Sequence, residues 1–120
     1  MRRTGPTNIR LRKLISMLKK KANESNAAIW DYVAELLSLP SRRRVAVNIS
    51  KIQRYANDGD VIVVPGKVLG AGVLNKKVTV AAVTFSMKAL EKINLAGGRV
   101  LTIEELLSQN PKGSGVKVIT

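Results

Sequence analysis

Cysteine and histidine are both missing from this sequence, and aromatic residues make up 3% of it. Each shortage removes a class of chemistry. Without cysteine no disulfide can form, and a reducing cytoplasm is the expected setting. Without either residue there is no Cys/His zinc site, no thiol nucleophile and no imidazole to carry protons. A site built from carboxylates alone is the one such chemistry left open. Apolar runs are short as well, and none approaches the roughly 20 residues that cross a bilayer. The N-terminus is basic, but no apolar stretch and small-residue cleavage site follow it, as a signal peptide would require. Acid is scarce too. Eight Asp and Glu stand against 21 Lys and Arg, for a net charge of +13.

What is present points to one folded unit with an affinity for polyanions. The chain has 120 residues, the size of one ordinary domain. Its hydrophobic content of 45% is enough to fill a core. The charge excess attracts nucleic acid or an anionic membrane, and the lack of a spanning run favours nucleic acid. The charge is also uneven. Through Arg54 there are 13 basic and 3 acidic residues, a net +10, whereas the remaining 66 residues carry only +3. Such asymmetry marks a polyanion-binding end.

The first 40 residues read as a basic arm and a helical hairpin. Gly5 and Pro6 keep Met1 to Pro6 extended. Thr7 can cap a helix in which Leu11, Leu14, Ile15, Leu18 and Ala22 share one face. Arg12, Lys13, Lys19 and Lys20 fall opposite. Asn23 to Asn26 is a polar break that supplies the next cap. Ala27 to Leu37 then forms a second amphipathic helix, with Ile29, Trp30, Val33, Leu36 and Leu37 inward and Asp31 and Glu35 outward. Pro40 stops it.

From residue 41 onward short strands alternate with short helices, an α/β pattern. Val45 to Val47 is a short strand. A helical turn follows that Asn48 or Ser50 could cap, with Ile49, Ile52 and Tyr55 inward. Asn57 to Asp60 is a turn. Val61 to Val64 is a β-branched run expected to be covered on both faces. Gly66 to Gly72 reads as a glycine-rich loop and Val78 to Phe85 as a buried strand. Ser86 caps a helix to Leu95 with Met87, Leu90 and Ile93 in line, ended by Gly97 or Gly98. Arg99 to Leu101 is a strand. Thr102 and Glu105 have capping-box spacing and open a helix to about Gln109. Pro111 to Gly115 turns the chain into a last strand, Val116 to Ile119.

The candidate nucleic-acid-contacting residues are gathered by charge and loop position, with the turn residues Gly113 and Ser114 added by the family resemblance that follows. The first group is Arg2, Arg3, Thr4, Gly5, Pro6, Asn8, Arg10, Arg12, Lys13, Lys19, Lys20 and Lys21, a block free of acid. A helix tuned only for solubility would intersperse Glu for i,i+4 pairing. Arg42, Arg43 and Arg44 form either a surface loop or a phosphate clamp, and the guanidinium fork favours the clamp. Lys51, Arg54, Lys67, Lys76, Lys77, Lys112, Gly113 and Ser114 complete the set. Pro65 to Gly72 is not a nucleotide-binding loop, because Gly66-Lys67 precedes the other glycines and Asn75 stands where a third glycine would be needed. Its glycines serve either a tight turn or a close approach of backbone to RNA. Glu104-Glu105 suits the first turn of a helix better than a catalytic pair. Only Trp30, Tyr32, Tyr55 and Phe85 are aromatic, too few for a platform that stacks successive bases. Recognition is therefore expected through phosphate, 2′-hydroxyl and shape.

Three stretches resemble a known family: Val47 to Ile52 through Asp58-Gly59-Asp60, then Val63 to Gly70, then Ala96 to Thr102 leading to Pro111 to Gly115. They are similar to the archaeal and eukaryotic large-subunit ribosomal protein family numbered eighteen-e, related to the bacterial fifteenth large-subunit protein. With Thr4-Gly5-Pro6-Thr7 the resemblance covers nearly the whole chain. It implies an irregular β-β-α superhelix for the body, and a structural role on large-subunit ribosomal RNA beside neighbouring ribosomal proteins. Eukaryotic relatives carry a longer basic tail, so the short form is expected of an archaeal member.

The resulting expectation is an α/β protein with residues 1–40 as basic arm and helix pair and residues 41–120 as body. It has no enzymatic activity, no cofactor, no metal, no small-molecule substrate and no membrane partner. A free-standing nucleic-acid-binding regulator is the alternative. A phosphate-substrate enzyme would need convergent polar groups that the sequence does not advertise.

Overall fold

The computed structural model describes residues 9–40 and 45–120. The arm, the Thr7 cap and the Arg42–Arg44 run lie outside them. Ten elements follow in order: α1 (Ile9–Ser25), α2 (Ala28–Leu37), β1 (Val45–Asn48), α3 (Ile49–Tyr55), β2 (Val61–Leu69), β3 (Thr79–Phe85), α4 (Met87–Leu95), β4 (Arg99–Thr102), α5 (Ile103–Gln109) and β5 (Val116–Val118).

The five strands make one parallel sheet in the order β1-β2-β3-β4, with β5 also paired to β2. β1 pairs with Gly66 to Leu69 and β5 with Val61 to Val63. β3 occupies the opposite edge of β2, so the two short strands share the remaining edge end to end. A parallel sheet needs cover on both faces, and successive side chains of a strand supply it alternately. Val63, Ala81 and Leu101 face a core built with α1, α2 and α5. Ile62, Val64, Val80 and Ala82 face a second core built with α3 and α4. The unbroken apolar run of β2 is thereby explained: each face of the strand has its own core.

The α/β class and most elements match the sequence reading, and the departures have local causes. α1 runs to Ser25, so the break before α2 shrinks to Asn26 and Ala27. Asn26 turns the chain at φ 51°, a left-handed conformation that asparagine tolerates. The cap position of α2 is Ala27, which has no side chain to cap with. Neither expected cap of α3 forms by side chain: Asn48 makes no capping bond, and Ser50 instead donates its backbone N–H to the Ala71 carbonyl at 3.1 Å.

Half of the expected glycine-rich loop is strand. β2 continues through Pro65, Gly66 and Lys67, where the register to β3 shifts. Such an irregularity accommodates a proline that has no N–H to give to the ladder. Gly66 is required there because a Cβ would sit 2.0 Å from the Val45 carbonyl oxygen. Tyr55 and Met87 are not inward but 56% and 74% exposed. They end and begin short helices whose burial is carried by Ile49 and Ile52 in α3 and by Ala89 and Ile93 in α4.

Candidate nucleic-acid interface

Among the described residues, α1 carries more exposed cations than any other element. Leu11, Leu14, Leu18 and Ala22 are buried, while Arg12, Lys13, Lys19 and Lys20 are exposed. Seven residues separate Arg12 from Lys19 and Lys13 from Lys20. Seven residues are two turns less about 20°, so each pair lies in one row along the axis, roughly 10.5 Å apart. The helix thus presents two parallel rows of positive charge with no acid between them. Lys21 differs, since Glu24 pairs with it at 3.6 Å one turn on.

Arg10 anchors the start of this helix. Its Nε and Nη2 donate to the two carboxylate oxygens of Glu104 at 3.3 and 3.2 Å, and its Nη1 donates to the Val83 carbonyl at 3.1 Å. The bidentate fork joins α1 to α5 and β3, so Arg10 orients the cationic face. Glu105 beside it completes the capping box expected from the sequence: its N–H donates to Thr102 Oγ1 at 3.1 Å, and its carboxylate accepts from the Thr102 N–H at 2.8 Å.

The body uses its cations differently. Lys76 Nζ donates to the carbonyls of Gln53 at 2.8 Å and Ala56 at 2.7 Å, closing the C-terminal end of α3 where carbonyls lack helical partners. Lys51 donates to the backbone oxygen of Thr120. Arg54 stands 6.0 Å from the centre of the Tyr55 ring. Lys67 is exposed in a cross-strand row with Ala46 and Thr84, both also exposed. Lys77 is exposed, and its backbone N–H donates to Asp58 Oδ1 at 2.8 Å. Lys112 is exposed in the turn after α5.

Gly113 and Ser114 belong to that same turn and have internal roles. Gly113 takes φ 69°, and a Cβ there would meet Ile29 Cγ2 at 2.5 Å. The backbone passes directly over α2, where Trp30 is fully buried and donates Nε1–H to the Pro111 carbonyl at 2.7 Å. The Ser114 carbonyl accepts from Asn110 Nδ2 at 2.9 Å. Glycines 70 and 72 likewise meet protein: added Cβ atoms would press on Lys88 at 2.4 Å and Ser50 at 2.5 Å.

Sequence reasoning missed Lys92. Its Nζ donates to the carbonyls of both Gly70 and Gly72 and so pins the glycine-rich segment onto α4. No local pattern marks it, because its partners lie 22 and 20 residues away. Of the candidates, Arg2, Arg3, Thr4, Gly5, Pro6, Asn8, Arg42, Arg43 and Arg44 lie outside the described residues.

The acids are mostly consumed within the protein. Asp60 accepts from Lys117 at 2.7 Å and from the Asn57 N–H at 2.8 Å, and these bonds hold its carboxyl below the ordinary 3.8, the Lys117 bond foremost. Among the described residues no three acidic side chains gather as a metal site. No helix there is long and apolar enough to cross a membrane. The arrangement can therefore bind anions on one broad face.

The chain is similar to known proteins over nearly its whole length. A family described as ribosomal protein 60S L18 and 50S L18e matches residues 2–120. The large ribosomal subunit protein eL18 of Pyrobaculum aerophilum is 53% identical over 116 residues, covering 97% of this chain and 95% of that protein. The protein of the same name from Methanococcus maripaludis is 50% identical over 119 residues, covering 99% of both chains. That of Methanopyrus kandleri is 51% identical over 121 residues, covering 97% of this chain and 95% of the relative.

Proposed function

The chain belongs to the ribosomal protein 60S L18 and 50S L18e family, and from that premise we propose that it is a non-catalytic structural constituent of the large ribosomal subunit that braces folded ribosomal RNA. The observation that carries the RNA-binding part is α1: one face is buried in the protein and the other exposes two rows of cations without an acid between them. The buried face fixes the helix, so its backbone needs no further ordering when phosphates arrive. Each phosphate neutralised releases counterions, so affinity falls steeply with salt. The basic arm, Arg42 to Arg44 and the exposed Lys67, Lys77 and Lys112 add separate contact points in this reading. Neighbouring ribosomal proteins are the second class of partner. The kinship with the bacterial fifteenth large-subunit protein belongs to the same proposal.

Two measurements test it. The native protein is expected to sediment with large subunits in a gradient, and its absence from them would sink the reading. Binding to large-subunit ribosomal RNA should exceed binding to duplex DNA at physiological salt. Equal affinities would favour a free-standing nucleic-acid-binding regulator instead.

A further inference from the structure

Tyr55 is in the wrong place for a core residue. Its spacing from Ile49 and Ile52 suits burial, yet the residue is 56% exposed. It opens onto a groove of about 480 Å³ between α3 and the end of the sheet, lined by Lys51, Tyr55, Lys117, Val118, Ile119 and Thr120. That volume lies within the ordinary range for small organic ligands. Ile119, which belongs to the α3-side core, gives the groove an apolar floor, whereas Val118 packs into the core on the other face of the sheet; Lys51 and Lys117 complete the lining with two cations.

The charges around the ring decide what it suits. The other exposed tyrosine, Tyr32, is 47% exposed on α2 beside Asp31 and near Glu35, where a phosphate would be repelled. Tyr55 instead has Lys51 one turn before it, Arg54 over its ring at 6.0 Å and Lys117 across the groove. Arg54 is not part of the groove lining. The lining lysines are fixed, Lys51 by the backbone oxygen of Thr120 and Lys117 by Asp60 at 2.7 Å. Asp60 offsets one of these three cations, so the site keeps a net positive charge. A flat aromatic face, an apolar floor and fixed cations form the constellation that holds an unpaired nucleotide, the base on the ring and the phosphate on the cations.

We infer that Tyr55 is a stacking site for a single unpaired RNA base, with Lys51, Arg54 and Lys117 holding the flanking phosphates. This rests on the RNA-binding reading above and deepens it, adding one splayed-out nucleotide to a contact made otherwise through phosphate and shape. The ring accepts any base, because every base has a face to stack.

The test uses the intact chain and a short single-stranded RNA carrying one 2-aminopurine, whose fluorescence is quenched on stacking. Wild type and Tyr55→Phe should quench it alike and bind within about twofold of each other. Tyr55→Leu should abolish the quenching and weaken single-strand binding about 5- to 150-fold, the usual worth of one base stack. Its unfolding midpoint should match wild type, since an exposed ring contributes little to the core. Binding to a duplex of the same sequence should be indifferent to all three. If the three proteins quench and bind the single strand equally, or if wild type binds the duplex but never quenches the probe, the stacking site does not exist and the phosphate reading stands. If no RNA of either kind is bound, both fall together.

Discussion

The lysines of α1 and those around the glycine-rich segment are one side chain put to opposite uses. Lys13, Lys19 and Lys20 point away from a buried helix face. Lys76 and Lys92 bend back onto two carbonyl oxygens each. What differs is the supply of acceptors. Within a long helix the carbonyls are bonded to the helix's own N–H groups, so a lysine there faces outward. The end of a short helix and a tight glycine turn leave carbonyls without partners. A charged hydrogen bond to such a group is worth more than the rotamer freedom the lysine loses. Counting positive charges therefore overstates the contact surface, because some of the cations hold the protein to itself.

The sharpest way to break this contrast is to reverse the outward set. Lys13→Glu, Lys19→Glu and Lys20→Glu together should weaken RNA binding by roughly 3 kcal/mol, about a hundredfold. The slope of log affinity against log salt should fall by about three. Stability should move by less than about 0.5 kcal/mol, as for other exposed positions. A salt titration beside urea unfolding reads both, and a large loss of stability with unchanged affinity would undo the distinction.

The inward set should behave in the opposite sense. Lys92→Met removes the donor to the Gly70 and Gly72 carbonyls and is expected to cost about 2 kcal/mol of stability. RNA affinity of the folded protein should stay within about twofold. A fall in affinity comparable to that of the α1 variant would place Lys92 on the RNA surface after all.

Gly113 sharpens the same point for an uncharged residue. Gly113→Ala puts a side chain at φ 69° and against Ile29, at a cost of about 1–2 kcal/mol. Thermal unfolding measures this, and unchanged RNA affinity separates a packing glycine from one that meets a phosphate.

The smallest effect concerns acid. Asp60 titrates below 3.8 in the fold because Lys117 and the Asn57 N–H bond its charged form. A carboxylate lowered in this way contributes stability that is fully present above its unfolded value and is lost as the pH falls through its folded value. Asp60→Asn should therefore flatten the stability profile below about pH 4 and leave it parallel to wild type above pH 5. Urea midpoints at pH 3 and pH 5 check it, and identical acid limbs would show that the Lys117 pair contributes nothing.

Where the physics is local, the sequence could be read directly. The Leu11, Leu14 and Leu18 stripe, the Ser86 cap and the Thr102–Glu105 capping box depend on residues three or four apart. Each needs only the geometry of one helical turn. The glycines resisted reading because their reason is distant: Gly66 is small so that Val45 can approach, and Gly113 so that the turn can cross α2. Lys76 and Lys92 resisted for the same cause, since a charge in sequence carries no record of the carbonyl it will meet.

By itself the sequence determined the charge imbalance, most of the elements and the helix face that stays cationic, because periodicity and composition act within a few residues. Only the tertiary structure decided which cations remain available. It drew Arg10 onto Glu104 and Lys92 onto the glycine turn, and it left Tyr55 outside the core. Those outcomes depend on which backbone and side-chain groups come within about 3 Å of each other once the sheet has closed, and no short-range pattern contains that information.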